Sequence, residues 1–384
     1  MSKSLQAIVK WPGGKTLEAK KILPLIPSYS GRFIDPFVGG GAIYFVSQSK
    51  RAAINDLSEE LIALYRYIQQ GNNEFFHAIY ELDHIRCSLC KIIEDDTIKF
   101  VSWFDFFSEG VFSQQELKGK ITNWVSGQRH RLDKFTYDGI EKRGFSEELI
   151  KNFSRKLSRM KKLSEENGGL DNADIIENIE TAIHSAFYMY VRHLYNNSER
   201  LNLSKALAIA IFYYIREFCY SSMFRFNNDG HFNVPYGGMA YNTKDFNSKI
   251  YRIQQPIYQE YLAGAKIHNT DFSEFFELIS PQNNDFIFLD PPYDSDFSTY
   301  DGNSFEKEDH ERLADFMVKT SANFLMVIKN TDFVMNLYGA ISNVQVQVFD
   351  KKYMVSFQNR NDKRAKHLII TNYPLPVPVT PRMF

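Results

Sequence analysis

The sequence predicts an α/β protein, an open and mostly parallel sheet interrupted by a long helical insertion. The first ground is a recurring pattern: a short apolar run that stops at an acid. Arg32-Phe33-Ile34 precedes Asp35, Arg51-Ala52-Ala53-Ile54 precedes Asn55-Asp56, and Phe286-Ile287-Phe288-Leu289 precedes Asp290. Bulky runs of this length, bounded by Gly, Pro, Asn or Asp, read as buried strands. The second ground is that helical patterns follow the first two of these runs, as in a doubly wound sheet. The third is that the alternation vanishes between residues 73 and 261. A crossover connection is far shorter, so this stretch reads as an insertion. Residues 1–72 and 262–384 then form one domain around an inserted 73–261.

A chain of 384 residues has room for this arrangement. Its 44% hydrophobic and 24% charged residues are ordinary, and with 15% aromatics no single ring is evidence of a ligand. No run approaches eighteen apolar residues and no signal-peptide core opens the chain, so a cytoplasmic protein without membrane contact is expected. Cys87, Cys90 and Cys219 offer no disulfide framework. Cys87-Ser-Leu-Cys90 is half of a zinc site at best, and His84 does not complete it, so no metal is expected. The net charge of −1 is unevenly spread: from Lys118 to Lys162 there are thirteen Lys or Arg against five Asp or Glu. That region is built to meet something acidic.

Lys10-Trp11-Pro12-Gly13-Gly14-Lys15 is a tight glycine turn between two lysines, suited to a carboxylate or phosphate, though a surface turn has the same composition. Asp35-Pro36-Phe37-Val38-Gly39-Gly40-Gly41 is a strand end and glycine loop leading into an apolar helix. The position three after Gly41, where the nicotinamide fingerprint wants glycine, is Tyr44, which disfavours a dinucleotide. Asp56 sits where a ribose diol is usually held, and it also suits a helix N-cap before 57–70.

Within the insertion, Trp103, Phe104, Phe106, Phe107, Trp124 and Tyr137 accompany the cations. In 151–163, Phe153, Leu157 and Met160 fall on one helical face and Lys151, Arg155, Arg159 and Lys162 on another, a helix able to lie on a polyanion. The apolar run 201–218 reads as a core helix. It leads to Met223-Phe-Arg225-Phe-Asn227-Asn-Asp229-Gly230-His-Phe-Asn233, whose Asp-Gly predicts a β-hairpin. A two-stranded ribbon fits the major groove, where Arg225 and Asn227 can pair with guanine and adenine edges. Ala265-Lys-Ile-His268 then brings a further acid, Asp271, with Phe272 beside it. Later strands are expected at 324–328, 344–348, 352–357 and 366–372, the last ones antiparallel.

Asp290-Pro291-Pro292-Tyr293 ends a strand where open α/β sheets bind their ligands. Pro292 restricts Pro291 to extended backbone, which can hold the Pro291 carbonyl and the Asp290 carboxylate side by side, with Tyr293 as a flat face. Two acceptors and a ring suit the NH2 group of a planar heterocycle. An acid ending a strand before a proline turn is the plainer alternative.

Four separated signatures occur in order: KWPGGK, DPFVGGG, the RFNNDGHFNVPYGG hairpin and DPPY. Together they resemble the Dam-type, alpha-group DNA adenine-N6 methyltransferases, over about two-thirds of the chain. The resemblance implies a Rossmann-like S-adenosylmethionine-dependent methyltransferase sheet with a largely helical DNA-recognition insert carrying the hairpin. It implies that Trp11 and Lys15 contact the cofactor, that Asp35 and Phe37 to Gly41, with Gly39 and Gly41, wrap its methionine portion, and that Asp56 binds the ribose. Asp271 and Phe272 would flank its adenine. Asp290, also near the cofactor, would hold the target base with Pro291, Pro292 and Tyr293. Lys10, Arg225, Asn227, Gly230 and Asn233 would meet double-stranded DNA. A cognate restriction endonuclease is an implied partner. Residues 73–180 exceed the compact members of the family. N4-cytosine methylation remains open because the same grip fits any exocyclic amine, as does a DNA-binding module without catalysis.

Overall fold

A computed structural model of the chain describes residues 5–132, 142–292, 305–352 and 364–375. Its strands are β1 (Phe33–Asp35), β2 (Ala52–Asn55), β3 (Ala265–His268), β4 (Phe286–Leu289), β5 (Asn323–Lys329), β6 (Gln345–Lys352) and β7 (Arg364–Thr371). They lie in the order β3-β2-β1-β4-β5-β7-β6. The first five are mutually parallel, and β7 runs antiparallel to β5 and β6. The expected strand 352–357 falls outside the described residues except for Lys352, which ends β6.

β1 and β4 are buried on both faces, which is why they read as unbroken apolar runs. Ile34, Ile287, Leu289, Phe324, Met326 and Ile328 pack in one core with Phe275 and Leu313 from flanking helices. The chain leaves β1 for β2 on one side and returns through β3 to β4 on the other. The crevice between β1 and β4 is thus the point where the winding reverses, the usual ligand position in such sheets.

Helices α1 (Ala19–Ile22), α2 (Ala42–Ser47) and α3 (Glu59–Gln70) precede the long insertion. α4 (Asn73–Ser108), α5 (Gln114–Gly127), α6 (Arg129–Leu132), α7 (Lys142–Asn167), α8 (Asn172–Asn196), α9 (Lys205–Phe218) and α10 (Phe246–Gln254) follow, then α11 (Pro256–Ala263), α12 (Phe272–Ile279), α13 (Lys307–Lys319) and α14 (Asp332–Tyr338).

The chain divides into two compact units. One comprises Met1–Gly71, Phe224–Phe226 and Ile253–Phe384, the other Asn72–Met223 and Asn227–Arg252. The first unit therefore resumes at Ile253, earlier than the residue 262 read from strand alternation. The reason is α11, a helix with no strand before it: Tyr258 and Leu262 are buried, and the Tyr258 hydroxyl bonds both the N–H and the carbonyl of Gln6 (3.0 and 3.1 Å).

The second unit is helical. Phe153, Leu157 and Met160 of α7 are fully buried, while Lys151, Arg155 and Arg159 are exposed, as their spacing predicts. The aromatics that accompany the cations are chiefly core: the Phe100 ring meets Trp124 and Phe153 edge-on, each with centroids 5.0 Å apart, and Phe104 and Phe107 are buried. Tyr137 lies outside the described residues.

Candidate active site

Residues 8–15 fold back over the glycine loop after β1. The Ile8 N–H donates to the Gly40 carbonyl (3.1 Å), and the Trp11 ring lies so close to Gly39 that a Cβ there would be 2.7 Å from its Cδ1. Gly39 and Gly41 have φ of +49° and +76°, a region that favours glycine. Tyr65 of α3 clamps the loop from beneath, its hydroxyl donating to the Gly39 carbonyl (2.9 Å).

Three carboxylates meet at the same sheet edge. Asp35 ends β1, Asp56 follows β2 and Asp290 follows β4, and β1 pairs with both neighbours. Lys15, only 1% exposed, forms an ion pair with Asp290 and donates to the Gly13 carbonyl (2.9 Å). The first glycine turn and the Asp-Pro-Pro strand end, 275 residues apart, are thus in direct contact. Asp35 accepts from the Phe37 N–H (3.1 Å). Burial, aided by the charges of Asp290 and Asp56 and opposed by Phe37 N–H and Lys15, pushes its carboxyl well above the ordinary range.

Asp56 accepts from the N–H groups of Gly39 and Ser58 (3.0 Å each), and burial pushes its carboxyl up to about 6. The cap of α3 is Ser58, whose hydroxyl accepts from Leu61 N–H (3.4 Å), so the N-cap reading of Asp56 is corrected: Asp56 ties the glycine loop to β2 instead. Pro291 is buried and Pro292 half-buried; Tyr293 lies outside the described residues.

Beyond β3, Asp271 caps α12 by accepting from Ser273 N–H (2.9 Å) and is held bidentately by Arg312 of α13 (2.8 and 3.1 Å). Burial pushes the Asp271 carboxyl up, but Arg312 and Ser273 outweigh it and hold it below the usual value. The Arg312 guanidinium also lies 4.5 Å from the Phe272 ring. Phe272 groups with Phe37 and Phe305, all three pairs having centroids 5.5–5.6 Å apart. Arg312 and Phe305 carry no local motif and are not found by reading the sequence. Nor is Asn55, whose buried amide bridges the Pro36 and Thr270 carbonyls (3.1 and 3.0 Å) and so locks the β1 and β3 loops together.

The model of the D12 class N6 adenine-specific DNA methyltransferases matches residues 11–167 and 144–356. The chain belongs to this family. Among its relatives, the Type II methyltransferase M.CviBI of Paramecium bursaria Chlorella virus NC1A is 29% identical over 96% of this chain and 100% of its own length. The Type II methyltransferase M.MjaIII of Methanocaldococcus jannaschii is 22% identical over 96% of this chain and 99% of its own. A DNA adenine methylase of Vibrio cholerae is 29% identical over 35% of this chain and 46% of its own. The protein is therefore an enzyme that methylates the N6 amino group of adenine in DNA, on an α/β methyltransferase sheet.

In this methyltransferase the hairpin differs from a regular ribbon. The turn is present: Asn227 N–H donates to the His231 carbonyl (2.9 Å), and Gly230, with φ +75°, donates to Asn227 (3.0 Å). The exposed Asn227 side chain takes part in that turn, its Oδ1 accepting from Asp229 and His231 N–H (3.1 and 2.8 Å). The returning limb has its carbonyls taken by α8: Asn196 donates to Phe232, and Tyr188 and Arg192 donate to Val234, each at 3.0 Å. Phe232 N–H donates in turn to Asn196 (2.9 Å). These α8 side chains add to backbone pairing of the same limb, whose Tyr236 forms an antiparallel bridge with Cys219.

Arg225 is exposed within the short stretch Phe224–Phe226, and Phe224 packs on Trp11 with centroids 5.3 Å apart. Lys10 is exposed and Asn233 half-buried. Among the described residues no helix is long and apolar enough to cross a membrane, and no group of three His, Cys, Asp or Glu is placed to hold a metal. Cys87 and Cys90 lie on α4, with Cys90 Sγ 3.7 Å from His184 Nε2.

Proposed function

We propose that the methyltransferase takes its methyl group from S-adenosylmethionine and delivers it to an adenine flipped out of double-stranded DNA at a defined sequence. The observation that carries this reading is the ion pair between Lys15 of the glycine turn and Asp290 of the Asp-Pro-Pro end. It joins the proposed donor pocket to the proposed base grip. The pocket suits such a donor: the carboxyl groups of Asp35, Asp56 and Asp290 gather at one sheet edge where a cationic donor favours their charged forms, and the Trp11 ring packs where a Gly39 side chain would stand.

Trp11, Lys15, Asp35, Phe37 and the loop at Gly39 and Gly41 would hold the methionine portion. Asp56 would hold the ribose diol, and Phe272 the adenine, with Asp271 fixed by Arg312. When bound, S-adenosylmethionine supplies an electrophilic methyl group. The chain's part is to make the adenine amine nucleophilic. Its lone pair is delocalised into the ring, and N–H bonds to the Asp290 carboxylate and the Pro291 carbonyl favour a pyramidal nitrogen aimed at the donor. Pro292 keeps that carbonyl in place, and Tyr293 stacks on the extruded base, offsetting part of a flipping cost of a few kcal/mol.

Residues 73–261 would serve target recognition, with Lys10, Arg225, Gly230 and Asn233 near the duplex. The Type II names of M.CviBI and M.MjaIII support a role as the modification partner of a restriction endonuclease. The test is transfer of labelled methyl from S-adenosylmethionine to unmethylated DNA. The expected product is N6-methyladenine at sites sharing one sequence; N4-methylcytosine, or no label in DNA, overturns the reading. A second expectation concerns Arg225→Ala, which should lower discrimination between the mapped site and single-mismatch sites by about tenfold. Unchanged preference removes Arg225 from the readout.

A further inference from the structure

A cleft of about 470 Å³ opens in the second unit between α7, α8 and the returning hairpin limb. α7 supplies Asn152, Arg155, Lys156 and Arg159; α8 supplies Ser185; and 235–238 closes the end. Three cations within five residues of one helix face this hollow, and among the described residues none of them forms a salt bridge. The Arg155 guanidinium donates to Asn152 Oδ1 (3.3 Å), and the Ser185 hydroxyl to the same atom (3.5 Å), so neutral polar neighbours position Arg155 without neutralising it.

Lys156 is half-buried, and burial together with repulsion from Arg159 and Arg155 pulls its ammonium below the usual value, with Glu177 opposing. Unneutralised like charges gathered in a concave site disfavour the free protein and are relieved by an anion. A second hollow along α7 is lined by Lys118, Glu147, Lys151 and Arg155, and Lys151 pairs with Glu148 (3.1 Å). The Ser154 hydroxyl there is buried without a hydrogen-bond partner. From Lys151 to Lys162 the basic stripe extends about 16 Å, long enough to follow several phosphates of one strand.

We propose that Arg155, Lys156 and Arg159 form a phosphate-gripping cleft that binds the DNA backbone without regard to sequence. This rests on the reading of 73–261 as the DNA-binding insert, and it assigns that stretch a role in affinity separate from base readout. The site takes the phosphodiester oxygens of duplex DNA. Phosphates of one strand meet the guanidinium forks, and Asn152, itself bonded by Ser185, holds that of Arg155.

The experiment uses the full-length protein, no cofactor, and a fluorescent mixed-sequence duplex titrated at several NaCl concentrations. The Arg155→Gln/Lys156→Gln/Arg159→Gln variant should show a log affinity against log salt plot shallower by about 2 to 3. Its affinity at 100 mM salt should fall at least tenfold, for target and non-target duplexes alike. Arg155→Lys/Arg159→Lys, which keeps the charge, should retain the wild-type slope, and inorganic phosphate at millimolar levels should not displace the duplex from wild type. At saturating DNA the triple variant should keep its kcat while the half-saturating DNA concentration rises.

A wild-type slope in the triple variant overturns the proposal, as does an equal loss in the charge-keeping variant, which would mark a structural role. Displacement by millimolar phosphate also overturns it, since the cleft would then be a small-anion site. Failure of the catalytic reading would appear elsewhere, in methyl transfer, because this test reads binding alone.

Discussion

Asp290→Asn should lower kcat for adenine methylation by on the order of 10³-fold while leaving the protein folded. Asparagine keeps the shape and one carbonyl oxygen. The Lys15 ammonium, buried and already in contact with residue 290, can only donate, so it will take that oxygen. The carboxamide NH2 is then turned toward the target amine, donor against donor, and the bond that frees the nitrogen lone pair is lost. Asp290→Ala is the less informative change, because it withdraws a carboxylate from a buried ammonium and mixes damage to the turn with damage to the chemistry. The measurement is single-turnover methyl transfer beside cofactor and DNA affinity. Unchanged affinities with a collapsed rate are expected; a rate within tenfold of wild type would remove Asp290 from the reaction.

That pair also shows what could be read without coordinates. Asp35, Asp56 and Asp290 were legible because each follows an apolar run that has to be a buried strand, and parallel strands deliver their carboxyl ends to one edge. Arg312 was not legible: it binds Asp271 across 41 residues from an amphipathic helix where an exposed arginine is ordinary. The hairpin was half legible. Asn227-Asn-Asp-Gly specifies a turn through its own side chains, and the turn is there. The returning limb is also held by Asn196, Tyr188 and Arg192 of α8, which spacing could not identify as its partners. Asp56 and Ser58 illustrate the limit at short range: both are sound N-cap residues, and the Leu61 N–H bond to the Ser58 hydroxyl decides between them, leaving Asp56 to hold Gly39.

Glu217 carries the second large effect, on stability. It is a fully buried acid at the end of α9, paired with Lys249 and, at 2.7 Å, with Lys244. Nothing local marks it, since Arg216-Glu217 reads as a polar interruption of an apolar helix. Glu217→Ala leaves two largely buried ammonium groups without their shared countercharge and should destabilise the protein by about 3–5 kcal/mol. For a unit of this size that corresponds to a melting point lower by on the order of 10 °C. Glu217→Leu combined with Lys244→Met and Lys249→Met should recover most of the loss, because no charge is then stranded. If the triple variant is as unstable as the single one, the loss lies in packing and the ion pairs are not its cause.

The pH dependence has a definite sign. Burial would push the Glu217 carboxyl up, but Lys249 and then Lys244 outweigh it and hold it at about 2, below its ordinary value. A depressed carboxyl stabilises the fold above the pKa of the unfolded chain and loses that contribution as pH falls toward the folded value. The gap in melting temperature between wild type and Glu217→Ala should therefore be full at pH 7 and shrink between about pH 4.5 and pH 2. A gap that widens on acidification would mean that the carboxylate is not what the two lysines stabilise.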